Sequence, residues 1–133
     1  MALAGNATSF QSLQPSLRRY AKWLLSVAPA AGAHTVRITS ARRSRAQQVQ
    51  LYKRFLAGRS SYPVARPGTS AHESGRAWDM VTEPYSALQT LGAWWRAAGG
   101  KWSPADDIHF EAGPGMLRPE LISPSLRQTR RRR

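Results

Sequence analysis

A chain of 133 residues (14.7 kDa) has room for one domain and is long enough to bury a core without staples. It has no cysteine, which excludes disulfides, thiolate metal sites and a cysteine nucleophile. The net charge of +13 is unevenly spread: residues 1–72 carry eleven Lys/Arg and no acid, and the last seven residues add five arginines. All seven acidic residues lie between Glu73 and Glu120. Such a chain suits polyanionic surroundings, whether nucleic acid, anionic lipid or an anionic cell envelope. Hydrophobic residues at 41%, five of them Trp, argue for a folded globule rather than a cationic disordered chain.

In chain order, Leu17, Tyr20, Ala21, Leu24 and Ala28 follow helical spacing and predict a helix from about Pro15 to Ala28. Trp23 to Ala33 is the longest mostly apolar run, broken by Ser26, Pro29 and Gly32, so no transmembrane segment is expected. Thr35 to Thr39 is β-branched and alternating, a strand pattern. Ser44-Arg45-Ala46-Gln47 is a capping-box pattern that opens a helix to about Ala57, with Val49, Tyr52 and Leu56 as its expected face and Leu51 and Phe55 beside it. Arg59 to Ser70, with Pro63, Pro67 and Gly68, reads as a loop. A strand over Ala77–Val81, a helix over about Pro84–Ala98 stopped by Gly99-Gly100, and a strand over Ile108–Glu111 complete the set. This mixture lacks a βαβ rhythm, so the expected class is α+β: a small, mostly antiparallel sheet with flanking helices. One domain over residues 1–125 and a basic tail over 126–133, expected to be disordered, follow from the composition.

The residues that carry chemistry gather in two segments. Ser70-Ala71-His72-Glu73-Ser74-Gly75-Arg76-Ala77-Trp78-Asp79 sets His72 and Asp79 seven apart, with Gly75 between them where the chain can turn back. Asp106-Asp107-Ile108-His109-Phe110-Glu111 adds a second imidazole and further carboxylates. Two imidazoles and a carboxylate form a three-ligand zinc set with an open fourth position. A neighbouring carboxylate could serve as proton acceptor. Strand alternation alone would put Asp107 on the face of His109. Glu73 and Glu111 read as partners of ligands rather than as ligands. His34 fits no motif and reads as a surface residue, Trp78, Trp94 and Trp95 read as core, and Trp102 is the aromatic proposed for the pocket.

The pattern Ser-x-His-x-x-Gly-x-Ala-x-Asp, followed by Asp-x-x-His, resembles the zinc D-Ala-D-Ala peptidase family. That family includes D,D-carboxypeptidases, vancomycin-resistance dipeptidases and phage L-alanyl-D-glutamate endolysins, and it shares its fold with the hedgehog signalling domain. Ser70, His72, Gly75, Ala77 and Asp79 fill all five positions of the first motif. Upstream, Ser40-Ala41-Arg42-Arg43-Ser44 with Gln48 and Leu51-Tyr52 is similar to a second family segment, although Ala41 replaces a glycine and Arg42 an aromatic. Pro67 to Ser70 and Gly99 to Trp102 resemble flanking family sequence, so the likeness runs over roughly residues 10–112. It implies that His72, Asp79 and His109 bind Zn2+. It selects Asp106 over Asp107 as general base, and it casts Arg43 as the donor to the substrate's carbonyl or carboxylate. Ser70 would be a lesser substrate contact and Trp102 a pocket wall.

The function expected is a zinc metallopeptidase cutting peptidoglycan stem peptides: first a phage-type endolysin with L-alanyl-D-glutamate endopeptidase activity, second a D-alanyl-D-alanine carboxypeptidase. From another class, a non-catalytic cationic envelope- or nucleic-acid-binding module on the same fold would account for the charge but not for the intact ligand, base and arginine set. The expected partner is peptidoglycan, with anionic envelope polymers or lipopolysaccharide meeting the Arg tail, no specific nucleic acid, and a monomeric state. Met1 to Asn6 offers no charged or apolar leader region, so a protein made in the host cytoplasm is expected, acting after holin-type release or carried in the virion.

Overall fold

The computed structural model describes residues 9–60 and 63–117; the boundary at 125 and the basic tail lie outside these. Helix α1 (Pro15–Val27) starts with proline in its first turn, where a missing N–H costs nothing, and buries Leu17, Tyr20, Ala21 and Leu24, the residues its spacing singled out. A 3-10 turn (Ala28–Ala31) closes on Gly32 at φ 92° and feeds β1 (Thr35–Ser40). Helix α2 (Arg45–Leu56) is capped as its sequence predicts, with Ser44 Oγ accepting the Gln47 N–H at 3.1 Å. Then come β2 (Ala77–Glu83), α3 (Ala87–Ala97), β3 (Lys101–Ser103), β4 (Asp106–Glu111) and a last 3-10 turn (Pro114–Leu117). The expected α+β class holds.

The strands form one antiparallel sheet in the order β1-β2-β4-β3. Alternation sends Trp78 and Met80 of β2 and Phe110 of β4 into the core with Leu17, Leu24, Leu88, Leu91 and Trp95. Trp78 stacks on Phe110 with ring centres 5.4 Å apart and meets Trp95 and Phe10 edge-on at 5.0 and 5.2 Å. Each such buried aromatic contributes roughly 1.5–3 kcal/mol by leaving water. The same alternation leaves Asp79 and His109 on the opposite face. One face of the sheet makes the core and the other presents the polar residues.

The structure departs from the expectation in two places. Strand β3 and the first residues of β4 form a short hairpin that three residues of mixed polarity did not announce. Helix α2 buries only Gln48, while Phe55 and Leu56 are 39% and 66% exposed. Periodicity identifies an apolar arc but not whether another element covers it. Among the described residues, no helix is long and apolar enough to cross a membrane.

Candidate metal centre and its cleft

His72 sits in the turn that precedes β2. Ser70 Oγ accepts the His72 N–H at 3.2 Å, and the His72 carbonyl accepts the Arg43 N–H at 2.9 Å. The turn reverses at Gly75, whose φ of 71° suits glycine. A Cβ there would meet the Ser12 carbonyl at 3.1 Å, because the turn is docked on the segment before α1. Gln14 fixes it there, its N–H donating to the Gly75 carbonyl (2.9 Å) and its side chain to that of Ser74 (2.9 Å). Asp79 and His109 are cross-strand partners in the β2–β4 ladder, so sheet register itself brings them together.

Three atoms converge. His72 Nε2 lies 3.2 Å from Asp79 Oδ1 and 3.2 Å from His109 Nδ1, and His109 Nδ1 lies 3.1 Å from Asp79 Oδ1. The protons are committed elsewhere. His72 Nδ1 faces the Ala41 carbonyl at 2.8 Å, which only accepts, so Nδ1 carries the hydrogen and Nε2 presents a lone pair. His109 Nε2 faces the Glu111 carboxylate at 3.0 Å, which leaves the lone pair of Nδ1 pointing at the same spot. Two lone pairs and a carboxylate oxygen aimed at one point repel each other unless a cation stands between them. Zinc bonds of about 2.0–2.1 Å at tetrahedral angles set ligands about 3.3 Å apart, close to the observed spacing. The residues present fit zinc.

The electrostatics agree. Burial works to raise the Asp79 carboxyl, yet hydrogen bonds with His109 and His72 outweigh it and hold the group well below the usual carboxylate range. Burial would lower His109, but hydrogen bonds with Asp79 and Glu111 raise its imidazole to about 9, so without a metal a proton sits on Nδ1 where a bound cation would displace it. Glu111 is itself lowered, chiefly by its hydrogen bond with His109, against burial and with help from Lys101. The site is built to hold positive charge.

These residues line a cleft of about 550 Å³ together with Arg43, Ser70, Asp106 and Leu51. Arg43 is 12% exposed; its Nη1 donates to Gln48 Oε1 (2.9 Å), and its Nη2 to Ser40 Oγ (3.3 Å) beside Asp79 Oδ2 (3.6 Å). Asp106 faces the cleft and Asp107 does not, its carboxylate accepting the Tyr85 hydroxyl at 2.7 Å instead. The reason is a register shift between β3 and β4: Lys101 pairs with Glu111 but Ser103 with Asp106, which breaks the alternation that would have favoured Asp107. Burial raises the Asp106 carboxyl, with Asp79 and Asp107 adding to the rise and His109 opposing it.

Two residues named in the sequence motifs have roles there that the sequence did not indicate. Trp102 is not brought to the cleft. It is 8% exposed, and its ring lies on Gly92, where any Cβ would meet it at 2.1 Å. Its Nε1–H donates to the Asp107 carbonyl at 2.8 Å, so it braces β4 rather than walls a pocket. Gln48 is 1% exposed and holds Arg43 through Oε1 while donating through Nε2 to the Ala65 carbonyl (2.8 Å). The available signal was a lone amide in the middle of the apolar arc of α2. Glu73 is no ligand: it accepts from Arg45 Nε and the Gly68 N–H, tying α2 to the loop before His72.

A family model described as VanY, D-alanyl-D-alanine carboxypeptidase, matches residues 11–111. No curated protein matches significantly. Among solved structures, a mutant of the vancomycin-resistance D,D-pentapeptidase VanY from a VanB-type cassette, in complex with Zn(II), is similar at TM-score 0.58 and 19% identity, over 81% of this chain and 74% of that one. The L,D-carboxypeptidase DacB from Streptococcus pneumonia is similar at TM-score 0.57 and 21% identity, over 78% and 68%. The L-Ala D-Glu endopeptidase ChiX of Serratia marcescens gives TM-score 0.53 and 20% identity, over 82% and 86%.

Proposed function

The chain belongs to the VanY family of D-alanyl-D-alanine carboxypeptidases and is a peptidoglycan peptidase; on that premise we propose that it is a zinc enzyme that cuts the L-alanyl-D-glutamate bond of stem peptides. The observation that carries the zinc peptidase reading is the convergence of His72, Asp79 and His109 in one cleft with Asp106 and Arg43. The cleft volume of about 550 Å³ suits a short peptide. For the bond, the supporting observation is the match over 86% of ChiX, an L-Ala D-Glu endopeptidase. A second reading, removal of the terminal D-alanine, is favoured by the description of the matching family and by Arg43, whose guanidinium suits a terminal carboxylate.

Zinc held by His72, Asp79 and His109 would supply Lewis acidity to a substrate carbonyl and acidify water. Asp106 takes a proton from the attacking water and returns it to the leaving amine. Arg43, fixed by Gln48 and Ser40, donates to the carbonyl oxygen as negative charge grows there. Burial lowers the Arg43 pKa and Asp79 opposes this; guanidinium stays charged in proteins in any case.

The deciding experiment is mass spectrometry of a soluble pentapeptide stem that begins L-alanyl-D-glutamate and ends D-alanyl-D-alanine. Release of L-alanine supports the endopeptidase, release of D-alanine the carboxypeptidase, and an intact peptide defeats both. Arg43→Lys is expected to lower kcat/KM about 10²-fold, since lysine cannot reproduce the two-pronged donor or hold Gln48 and Ser40 together. Near-normal kinetics in that variant would remove Arg43 from the site.

The arginines at 127 and 130–133 lie outside the described residues, and their charge supports a further part of this reading, retention on anionic wall polymer or lipopolysaccharide. Each contributes about 1 kcal/mol near such a surface. Deleting residues 127–133 is expected to spare turnover of the soluble peptide and to weaken lysis of whole cells, most clearly at low salt. Equal lysis by both forms at low salt counts against anchoring.

A further inference from the structure

Asp107 is gripped from two sides. The Trp102 indole of β3 donates to its backbone carbonyl at 2.8 Å, and the Tyr85 hydroxyl, from the turn between β2 and α3, donates to its Oδ1 at 2.7 Å. The residue immediately before it is Asp106. We propose that Tyr85 and Trp102 clamp Asp107 on the far side of β4, and that this clamp positions Asp106 for proton transfer. The inference rests on the reading of Asp106 as base.

In a regular strand, residues 107, 109 and 111 share one face. His109 and Glu111 do share it, joined by a 3.0 Å hydrogen bond and lining the cleft. A regular β4 would therefore bring Asp107 to the ligands and turn Asp106 away. The register shift prevents this, and the displaced residue is held from outside the ladder. Here the indole fixes its carbonyl and the phenol its carboxylate. Trp102 is buried on Gly92 and serves as the rigid post. Tyr85 is 51% exposed, so it can be changed without opening the core. Tyr85 is thus a positioning residue, acting through Asp107.

The test compares kcat and KM on the soluble pentapeptide stem, with zinc content and melting temperature, for the holoenzyme and its variants. Tyr85→Phe is expected to lower kcat about five- to tenfold, the effect of one ordinary hydrogen bond at an exposed site, with KM and zinc content unchanged. Asp107→Ala should show the same loss, and Asp107→Asn, whose amide oxygen still accepts from the phenol, should recover most of it. Adding Tyr85→Phe to Asp107→Ala should cost nothing more, because the two act as one unit. An unchanged kcat in Tyr85→Phe overturns the clamp, as does a full further loss in the Asp107→Ala background or a loss of zinc. Asp106→Asn measured alongside separates the two layers. If it is fully active, the base assignment fails and the clamp with it; if it is inactive while Tyr85→Phe is normal, the clamp alone fails.

Discussion

Asp106→Asn is expected to lower kcat on the soluble stem peptide by about 10²–10⁴-fold while one zinc per chain is retained, the usual loss when a general base is removed. The side chain keeps its shape and its place in the cleft, so binding and metal content have no reason to change. What disappears is the ability to accept a proton. That ability is favoured at this position, because burial first, then Asp79 and Asp107, raises the carboxyl and makes its protonated form easier to reach. Asp107→Asn should be mild by comparison, since its partner is the Tyr85 hydroxyl and an amide oxygen accepts that bond as well. A mild Asp106→Asn beside an inactive Asp107→Asn would make Asp107 the base. Initial rates of the two variants at saturating substrate, with zinc measured on the same samples, decide the matter.

The second large effect belongs to the metal. His72→Ala removes one of the three converging ligands, and activity and stoichiometric zinc are expected to vanish together. The more discriminating readout is the zinc-dependent part of the melting temperature, because the substitution also removes the hydrogen bond to the Ala41 carbonyl and lowers stability by itself. For the parent protein, free zinc at about 100 times Kd stabilises by about 2.7 kcal/mol, a rise on the order of 10 °C for a domain of this size. In His72→Ala that increment should be absent. Glu111→Gln, which changes only the group that orients His109, should keep part of it and lose about 10–100-fold in metal affinity. Strong chelation of the parent should abolish turnover, and added zinc should restore it. Active protein without stoichiometric metal would defeat the assignment.

Local chemistry made much of this legible in the sequence. The apolar face of α1, the Ser44 cap and the glycine turn before β2 are each set by residues within a few positions of one another. The fold class was readable because the strand and helix patterns do not alternate in a βαβ rhythm. What the residues alone left open depended on contacts between distant segments. Alternation pointed to Asp107 and only the family spacing to Asp106, because the irregularity in β4 arises from its pairing with β3 and leaves no local mark. Trp102 stood beside the site in sequence, yet the small face of Gly92, ten residues earlier, draws its ring into the core. Gln48 was visible as a misfit on an apolar arc, but its task needed both Arg43 and Ala65 in place. Phe55 and Leu56 at the end of α2 show the converse, apolar residues on the expected arc that stay exposed among the described residues.

The pairing of Asp79 with His109 across β2 and β4 has a consequence for recovering this protein after denaturation. A slip of β4 by one residue against β2 would turn His109 toward the aromatic layer and bring Phe110 out into solvent, since neighbours along a strand face opposite ways. A mispaired molecule could then be compact and helical and still lack one of its three metal ligands. Far-ultraviolet spectra would count it as refolded, but bound zinc would not. The ratio of tightly held zinc to total protein therefore measures the yield of correctly paired molecules, and it does so without any substrate.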